Sequence, residues 1–297
     1  MTIYSYVTKT VEQGGWTGVP RFDASLRRVF PQIKSVSQFV DFTRHSGDQP
    51  LAGSLLIEPD SMVITDNHLS LDVSLEVSCV TVHHGCARTH YDRDPAWRTD
   101  HTRNMVELQA KMLTLPNRTY VAPSDWVGLQ FTAIAPELPE YIFRTIPHWV
   151  PSIPALPKWG KPKIIGDWRD NNKGAGIWKK LAERFPQWHF EPLRFADDAG
   201  RRVQYGTASL YLCLSLSEGG SYSVCDAEAA ELPIVTTDVG NCVEFNDCEL
   251  VSWKQRDNIE IIGSLIEHKL KIGRMRPSFY KEYTFECWKA DWEDAIR

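Results

Sequence analysis

With 297 residues, 42% of them hydrophobic and 24% charged, the chain is long enough for one large or two ordinary globular domains with real cores. Its net charge of −5 is spread evenly, 13 Lys and Arg against 16 Asp and Glu in residues 1–150 and 20 against 22 in 151–297, so neither half is a basic nucleic-acid module. No apolar run approaches the ~18 residues of a membrane span and no basic-then-apolar leader opens the sequence, which sets the expectation of a cytoplasmic protein.

A first β-type run covers residues 3–7, followed by a glycine cluster, Gly14, Gly15 and Gly18. Pro20 then suits the first turn of a helix in which Phe22, Leu26, Val29 and Phe30 share one face. Residues 34–58 have no clear period. Residues 59–65 and 79–85 read as two buried parallel strands, the second ending in His83-His84-Gly85. Neighbouring residues on a strand point to opposite sides, so the two histidines cannot both face one site. His83, His84, Cys86 and His90 are zinc-ligand types, but that opposition and the lack of a second Cys/His pair at ligand spacing argue against a metal. The seven cysteines, with no Cys-x-x-Cys among them, read as reduced small hydrophobes.

The stretch 87–118 is the most distinctive of the first half. Arg88, His90, Tyr91, Arg93, Trp97, Arg98, His101, Arg103, Lys111 and Arg118 are interleaved with Asp92, Asp94, Asp100 and Glu107. The commoner outcome of such a pattern is a solvated, salt-bridged helix surface; the other is a grip on phosphate or stacking on sugars and bases. Residues 120–127 give a strand and a helix start with Ser124 as N-cap. Prolines at 147, 151, 154, 157 and 162 make a stiff, extended linker and mark a domain boundary.

Beyond the linker a strand at 163–165 leads through Gly166 and a polar turn to an amphipathic helix with Ile177, Leu181 and Phe185 on one face. The strongest signal lies at 214–240. An apolar β-like run ends in Ser217-Glu218-Gly219-Gly220, a helix-favouring run follows and stops before Pro233, and a second apolar run, Ile234-Val235, closes on Asp238-Val239-Gly240. This is a βαβ unit with a polar turn at the carboxyl end of its first strand. Open α/β sheets bind ligands there, and a helix N-terminus reached through glycines presents N–H groups to an anion such as phosphate. Glu218 and Asp226 stand eight apart, the first in the turn and the second about two helical turns on.

The 214–240 stretch resembles the acidic signature of the retaining GT-B glycosyltransferases of family 4, which reads Ser-x-x-Glu-Gly, then Glu-Ala, Gly-x-Pro-Val and Asp-x-Gly. Three positions depart from it: Asp226 stands where the family has a second glutamate bound to the ribose hydroxyls, Glu231 where it has glycine, and Gly220-Ser221 where it has Phe-Gly. Other segments resemble the same family. Gly14 and Gly15 match its glycine pair beside the donor diphosphate, and His83 or His84, with a slight preference for His84, matches the histidine that faces the transferred sugar. Residues 145–150 match its interdomain crossover, Lys173-Gly174 and Arg169 its two diphosphate-holding cations, and residues 283–296 its final aromatic helix.

The resemblance implies an α/β GT-B fold, two Rossmann-like domains whose parallel sheets face each other across a cleft. Residues 1–147 would form the acceptor side, 148–280 the nucleotide-sugar side, and 281–297 a helix crossing back to the first domain. It further implies a retaining, metal-independent hexosyltransferase that needs no cofactor beyond its co-substrate, a UDP-sugar or GDP-sugar. The acceptor would be a glycan or a lipid-linked sugar, the latter allowing peripheral membrane contact. In the implied site Glu218, His84 or His83, and Lys173 do the chemistry. Gly14, Gly15, Arg169, Lys173, Gly219, Gly220, Ser221, Tyr222 and Asp226 hold the donor, while Arg88, Tyr91, Arg93, Trp97 and Arg98 meet the acceptor. The alternatives are transfer to a modified base in DNA, a GT-B nucleotide-sugar epimerase, and a non-catalytic binder of nucleotide or glycan.

Overall fold

The computed structural model describes residues 1–7, 18–37, 60–135, 142–195 and 197–297. They divide into two compact units, Met1–Pro147 with Glu286–Arg297, and His148–Phe285. Gly14 and Gly15 lie outside the described residues.

In the first unit, β1 (Ile3–Val7), α1 (Gly18–Val29), β2 (Lys34–Ser37), β3 (Met62–Asp66) and β4 (Ser78–Val82) are followed by α2 (Ala87–Arg93), α3 (Asp100–Met112), β5 (Arg118–Ala122), α4 (Asp125–Thr132) and β6 (Phe143–Thr145). The strands form one parallel sheet in the order β2-β1-β3-β4-β5-β6. Helix α1 buries Phe22, Leu26 and Val29 at helical spacing. Its fully buried Asp23 accepts from Ser5 of β1 and Ser35 of β2, both at 2.8 Å, and pairs with Arg27 at 3.1 Å, which anchors the helix to two strands. Ser124 caps α4 by accepting from the Val127 N–H at 3.2 Å.

The second unit runs β7 (Lys163–Gly166), α5 (Ile177–Arg184), β8 (His189–Pro192), α6 (Asp198–Thr207), β9 (Leu210–Cys213), α7 (Tyr222–Ala229), β10 (Ile234–Thr237), β11 (Cys248–Val251) and α8 (Ile259–Ile272). Its sheet is also parallel, in the order β11-β10-β9-β7-β8. Alternation along β9 explains why both faces are covered. Leu210 and Leu212 pack with Leu181 of α5 and Ile262 and Ile266 of α8, while Tyr211 and Cys213 pack with Tyr205 of α6 and Val224 and Ala227 of α7. Each fully buried Leu or Ile in these layers contributes about 1.5–3 kcal/mol.

Two details add to the sequence expectation. The proline-rich stretch after Pro147 is docked on the second unit: the Ile153 N–H bonds the Ala229 carbonyl at 3.1 Å and the Leu156 N–H bonds the Gly206 carbonyl at 2.8 Å. Lys281 pairs with Glu231 and Phe285 packs on Trp149 within the second unit, and Glu286–Arg297 group with the first. From there α9 (Phe285–Ala295) buries Trp288 and Trp292, and Trp292 meets Phe22 with ring centroids 5.5 Å apart.

Candidate active site

Both sheets have a point where successive strands leave in opposite directions, between β1 and β3 in the first unit and between β7 and β9 in the second. Such switch points leave a crevice at the strands' carboxyl ends, where ligands of open α/β sheets bind. In the second unit the segments leaving β7 and β9 carry Lys173 and Glu218. Strand β9 ends at Cys213, earlier than the apolar run indicated. Polar partners then take over the backbone: the Leu214 carbonyl accepts from Arg256 and the Ser215 carbonyl from the Thr237 hydroxyl.

The structure brings Lys173 and Glu218 into direct contact. The Lys173 ammonium is ion-paired with Glu218 Oε1, and the Ser215 hydroxyl donates to the same oxygen at 2.6 Å. Among the described residues Oε2 receives no hydrogen bond, so one carboxylate oxygen is oriented by the protein and the other stays available. Both side chains are mostly buried, at 14% and 9% exposure. Burial works against the Lys173 charge, yet the Glu218 and Asp167 carboxylates outweigh it and hold its pKa above the ordinary lysine value. Arg169 lies in the same loop but is 63% exposed and paired with Asp167 at 2.6 Å.

Two glycines shape these loops. Gly174, at φ +85°, lies so close to Leu214 that a Cβ would stand 2.7 Å from the leucine Cβ. Gly240, at φ +59°, would place a Cβ 2.5 Å from the Gly219 carbonyl oxygen and 2.7 Å from Glu218 Cβ. The Asp238-Val239-Gly240 turn therefore backs directly onto the glutamate, and only glycine fits both the conformation and the space. Asn241 completes the brace: its N–H bonds the Gly219 carbonyl at 3.0 Å and its Oδ1 accepts from the Ser221 N–H at 2.9 Å.

That last bond corrects one expectation, since the Ser221 amide is already used; among the described residues those of Gly219 and Gly220 have no acceptor. Tyr222 is also engaged, stacked on His148 at 4.2 Å and 13°. Asp226 is engaged as well. It is fully buried on α7 and bonded by Arg201 at 2.5 Å, and Arg201 in turn holds Asp198. The carboxylate is thus enclosed and bonded within the second unit, which leaves its part in holding a donor to experiment.

In the first unit the histidine pair separates as strand geometry requires. His83 is a correction: it is fully buried against Phe131, Tyr120 and Phe143, with ring centroids 4.4–5.8 Å away, and neither ring nitrogen has a partner among the described residues. Burial, with His84 alongside, lowers its pKa to about 3, so the ring is a neutral part of the core. His84 faces the other way, edge-on to Phe22 at 5.0 Å, with Nε2 3.7 Å from Asp66 Oδ1 at the end of β3. Burial lowers its pKa too, and Asp66 only partly opposes this.

Several of the 88–118 residues bond one another, while Arg118 reaches outside the stretch to the carbonyls of Ser70, Val73, Ser74 and Val77. Arg88 pairs with Asp92 at 2.7 Å, Arg98 bonds the Tyr91 and Asp92 carbonyls at 3.3 and 3.2 Å, and Arg93 lies over the Trp126 ring at 5.3 Å. Trp97 stacks on His90 at 4.8 Å and keeps 44% exposure. Arg88 and Arg98 thus help to close the α2–α3 corner, the salt-bridged surface that the pattern allowed.

Sequence reasoning missed Asp66, Asn241, Arg201 and Arg256. Asn241 directly follows a recognised turn and could have been found there; Arg256 lies 84 residues from the loop it contacts and carries no local signal.

No protein-family model matches the chain, and no curated protein does. Among solved structures it is similar to sucrose-phosphate synthase from Thermosynechococcus elongatus, with 13% identity, a TM-score of 0.61, and 100% of this chain and 95% of that one covered. It is similar to the lipopolysaccharide outer core galactosyltransferase WaaB, with 10% identity, a TM-score of 0.61 and 99% of each chain covered. It is also similar to an α,α-trehalose-phosphate synthase (UDP-forming) from Burkholderia xenovorans, with 9% identity, a TM-score of 0.61 and both chains fully covered. At these identities the likeness is one of fold, and the fold is that of the GT-B glycosyltransferases.

Proposed function

We propose that the protein is a retaining glycosyltransferase that moves a sugar from a nucleotide sugar to a hydroxyl of a glycan or lipid-linked sugar. The observation that carries this reading is the Glu218 carboxylate, fixed through one oxygen by Lys173 and Ser215 beside the Gly219-Gly220 turn. Its other oxygen suits a sugar hydroxyl, Lys173 suits the diphosphate, and the glycine amides suit an anion. The UDP-forming synthase among the similar structures favours a UDP-sugar, and the lipopolysaccharide core galactosyltransferase favours a glycan acceptor.

In the proposed reaction the bond from the anomeric carbon to the diphosphate breaks and one from that carbon to the acceptor oxygen forms on the same face. The acceptor proton passes to the leaving phosphate oxygen. Charge grows on the diphosphate, and Lys173 with the glycine amides stabilises it more in the transition state than before it. His84, its pKa lowered by burial and its Nε2 3.7 Å from Asp66 Oδ1, is the first unit's candidate for a sugar contact.

The test is release of nucleoside diphosphate from UDP- and GDP-sugars with and without glycan acceptors, with the product anomer assigned by NMR. Acceptor-dependent release with retained configuration, unaffected by a chelator, is the expected result; inverted product or a requirement for Mg²⁺ or Mn²⁺ refutes the mechanism. The engagement of Asp226 favours a second reading, a binder of nucleotide without turnover. Thermal stabilisation by UDP with no release from any nucleotide sugar would select it.

A further inference from the structure

The two segments that meet at the candidate site leave different strands, and little regular structure fixes either of them. The Leu216 N–H bonds the Asn172 carbonyl at 2.9 Å, and the Asn172 side-chain amide bonds the Ser217 carbonyl at 3.3 Å. A third segment supplies the strongest tie. After β11, the 3-10 turn Trp253–Gln255 ends at Arg256, whose side chain is only 12% exposed. One Arg256 Nη1 donates to the carbonyls of Asn172 at 2.8 Å and Leu214 at 2.9 Å, while Nη2 donates to that of Asn171 at 3.0 Å.

Three carbonyl oxygens from two loops thus converge on one guanidinium. Without it the Leu214 carbonyl would lose its side-chain donor, and the Asn171 and Asn172 carbonyls would keep only the Gly174 and Leu216 N–H groups, at 3.1 and 2.9 Å, so the tie between the loops would rest on far fewer bonds. A planar fork reaches all three acceptors; a lysine ammonium, a point charge on a flexible stem, does not reproduce that geometry. Asn172 immediately precedes Lys173, and Leu214 immediately precedes Ser215, the residue that orients Glu218. The guanidinium therefore ties down the backbone on either side of the Lys173–Glu218 pair.

We infer that Arg256 is a positioning residue that holds Lys173 against Glu218 and acts on turnover rather than on donor affinity. The inference rests on the proposed transfer reaction. When a diphosphate draws the ammonium away from Glu218, the loops must stay in place for Lys173 to reach the leaving group, and Arg256 supplies that restraint.

The test combines amide exchange with a mutant cycle. In R256A, exchange at residues 171–174 and 214–217 should quicken about tenfold or more while the amides of β10 stay at the wild-type rate, and R256K should restore neither set of contacts fully. In turnover, R256A should lower kcat about 10- to 100-fold with the donor KM within about threefold, and R256K should fall between R256A and wild type. In a K173A background, R256A should cost no more than about a further twofold, because the residue it positions is gone. Wild-type exchange in R256A, full rescue by R256K, or losses that multiply in R256A/K173A would overturn the inference. A wild-type protein that releases no nucleoside diphosphate refutes the proposed reaction, and with it the part of Arg256 in turnover, whereas the exchange measurement reads the tie between the loops in either case.

Discussion

Replacing Lys173 with methionine leaves the Glu218 carboxylate in a site that is 91% shielded, with Ser215 as its remaining partner. Breaking a buried pair by removing one member costs about 3–5 kcal/mol, and the slight exposure here puts the expected loss near the lower end, about 3 kcal/mol. Glu218→Gln should cost less, about 1–2 kcal/mol, because the amide keeps the shape and Ser215 contact, and the lysine stem is long enough to turn its ammonium toward water. The double variant K173M/E218Q has neither charge and should return to within about 1 kcal/mol of wild type, a coupling of roughly 3–5 kcal/mol. The assay is urea denaturation with tryptophan fluorescence, read on the transition of the second unit because a two-unit chain need not unfold in one step. Turnover should separate from stability: all three variants lose at least about tenfold, the double variant included, since a charge-assisted bond is worth roughly 1.5–3 kcal/mol. The pair also has a pH signature. Because the folded pKa of Lys173 lies above its ordinary 10.5, the pair's contribution is fully present below about that pH and is lost as pH rises through the higher folded value. Additive stability losses, or turnover recovered in the double variant, would refute the assignment of this pair.

His83→Phe should leave turnover unchanged while His84→Ala lowers it. The same His83 variant should also remove a loss of stability on acidification: the folded pKa of about 3 against an ordinary 6.5 means the unfolded chain takes up the proton first, so stability present above pH 6.5 declines toward pH 3, by an amount on the order of 4 kcal/mol. Equal acid sensitivity in wild type and His83→Phe, measured by urea titration at pH 7 and pH 4.5, would show that the ring is not buried neutral. Gly240→Ala should reduce kcat at least about tenfold by driving its methyl group into Gly219 and Glu218; unchanged kinetics would mean that the turn can relax. Asp226→Asn should lower stability by about 3 kcal/mol, since Arg201 loses its buried countercharge, yet leave donor KM within about twofold; a large rise in KM with intact stability would return Asp226 to the donor site.

The sequence made the second unit legible because its signals are local. Glycine turns, a helix and an apolar run succeed one another within 27 residues at 214–240, and Lys173 is announced by the glycine that its tight turn requires. The βαβ logic then dictates a parallel sheet and puts both residues at the switch point. What stayed hidden depends on contacts distant in the chain. Arg201 meets Asp226 across 25 residues and Arg256 meets Asn172 across 84, and no periodicity encodes either. The histidine pair was ambiguous for another reason: alternation along a strand says that the two differ, whereas the aromatic cluster that claims His83 comes from three separate elements.

Of the three departures from the glycosyltransferase pattern, one, Gly220-Ser221, adjoins Glu218, and the other two fall on the segment that follows. Around Glu218 the essentials are in place: Ser215 and Lys173 on one oxygen, Gly240 behind it, and two glycine amides in front. Eight residues on, the shorter Asp226 is held back by a buried arginine, and at Glu231 a side chain occupies the left-handed conformation, φ +53°, where glycine is cheaper by about 1–2 kcal/mol. Both changes fall on the segment that resembles the ribose-binding part of the family's signature, and both turn that segment toward its own scaffold, Asp226 to Arg201 and Glu231 to Lys281. In the proposed reaction, the Lys173–Glu218 end of the site therefore keeps most of the pattern, and the segment that resembles the ribose-binding part departs from it more. Removing a ribose hydroxyl from the donor should then matter little, whereas changes to the diphosphate should matter as much as in any enzyme that stabilises it with a lysine and backbone amides.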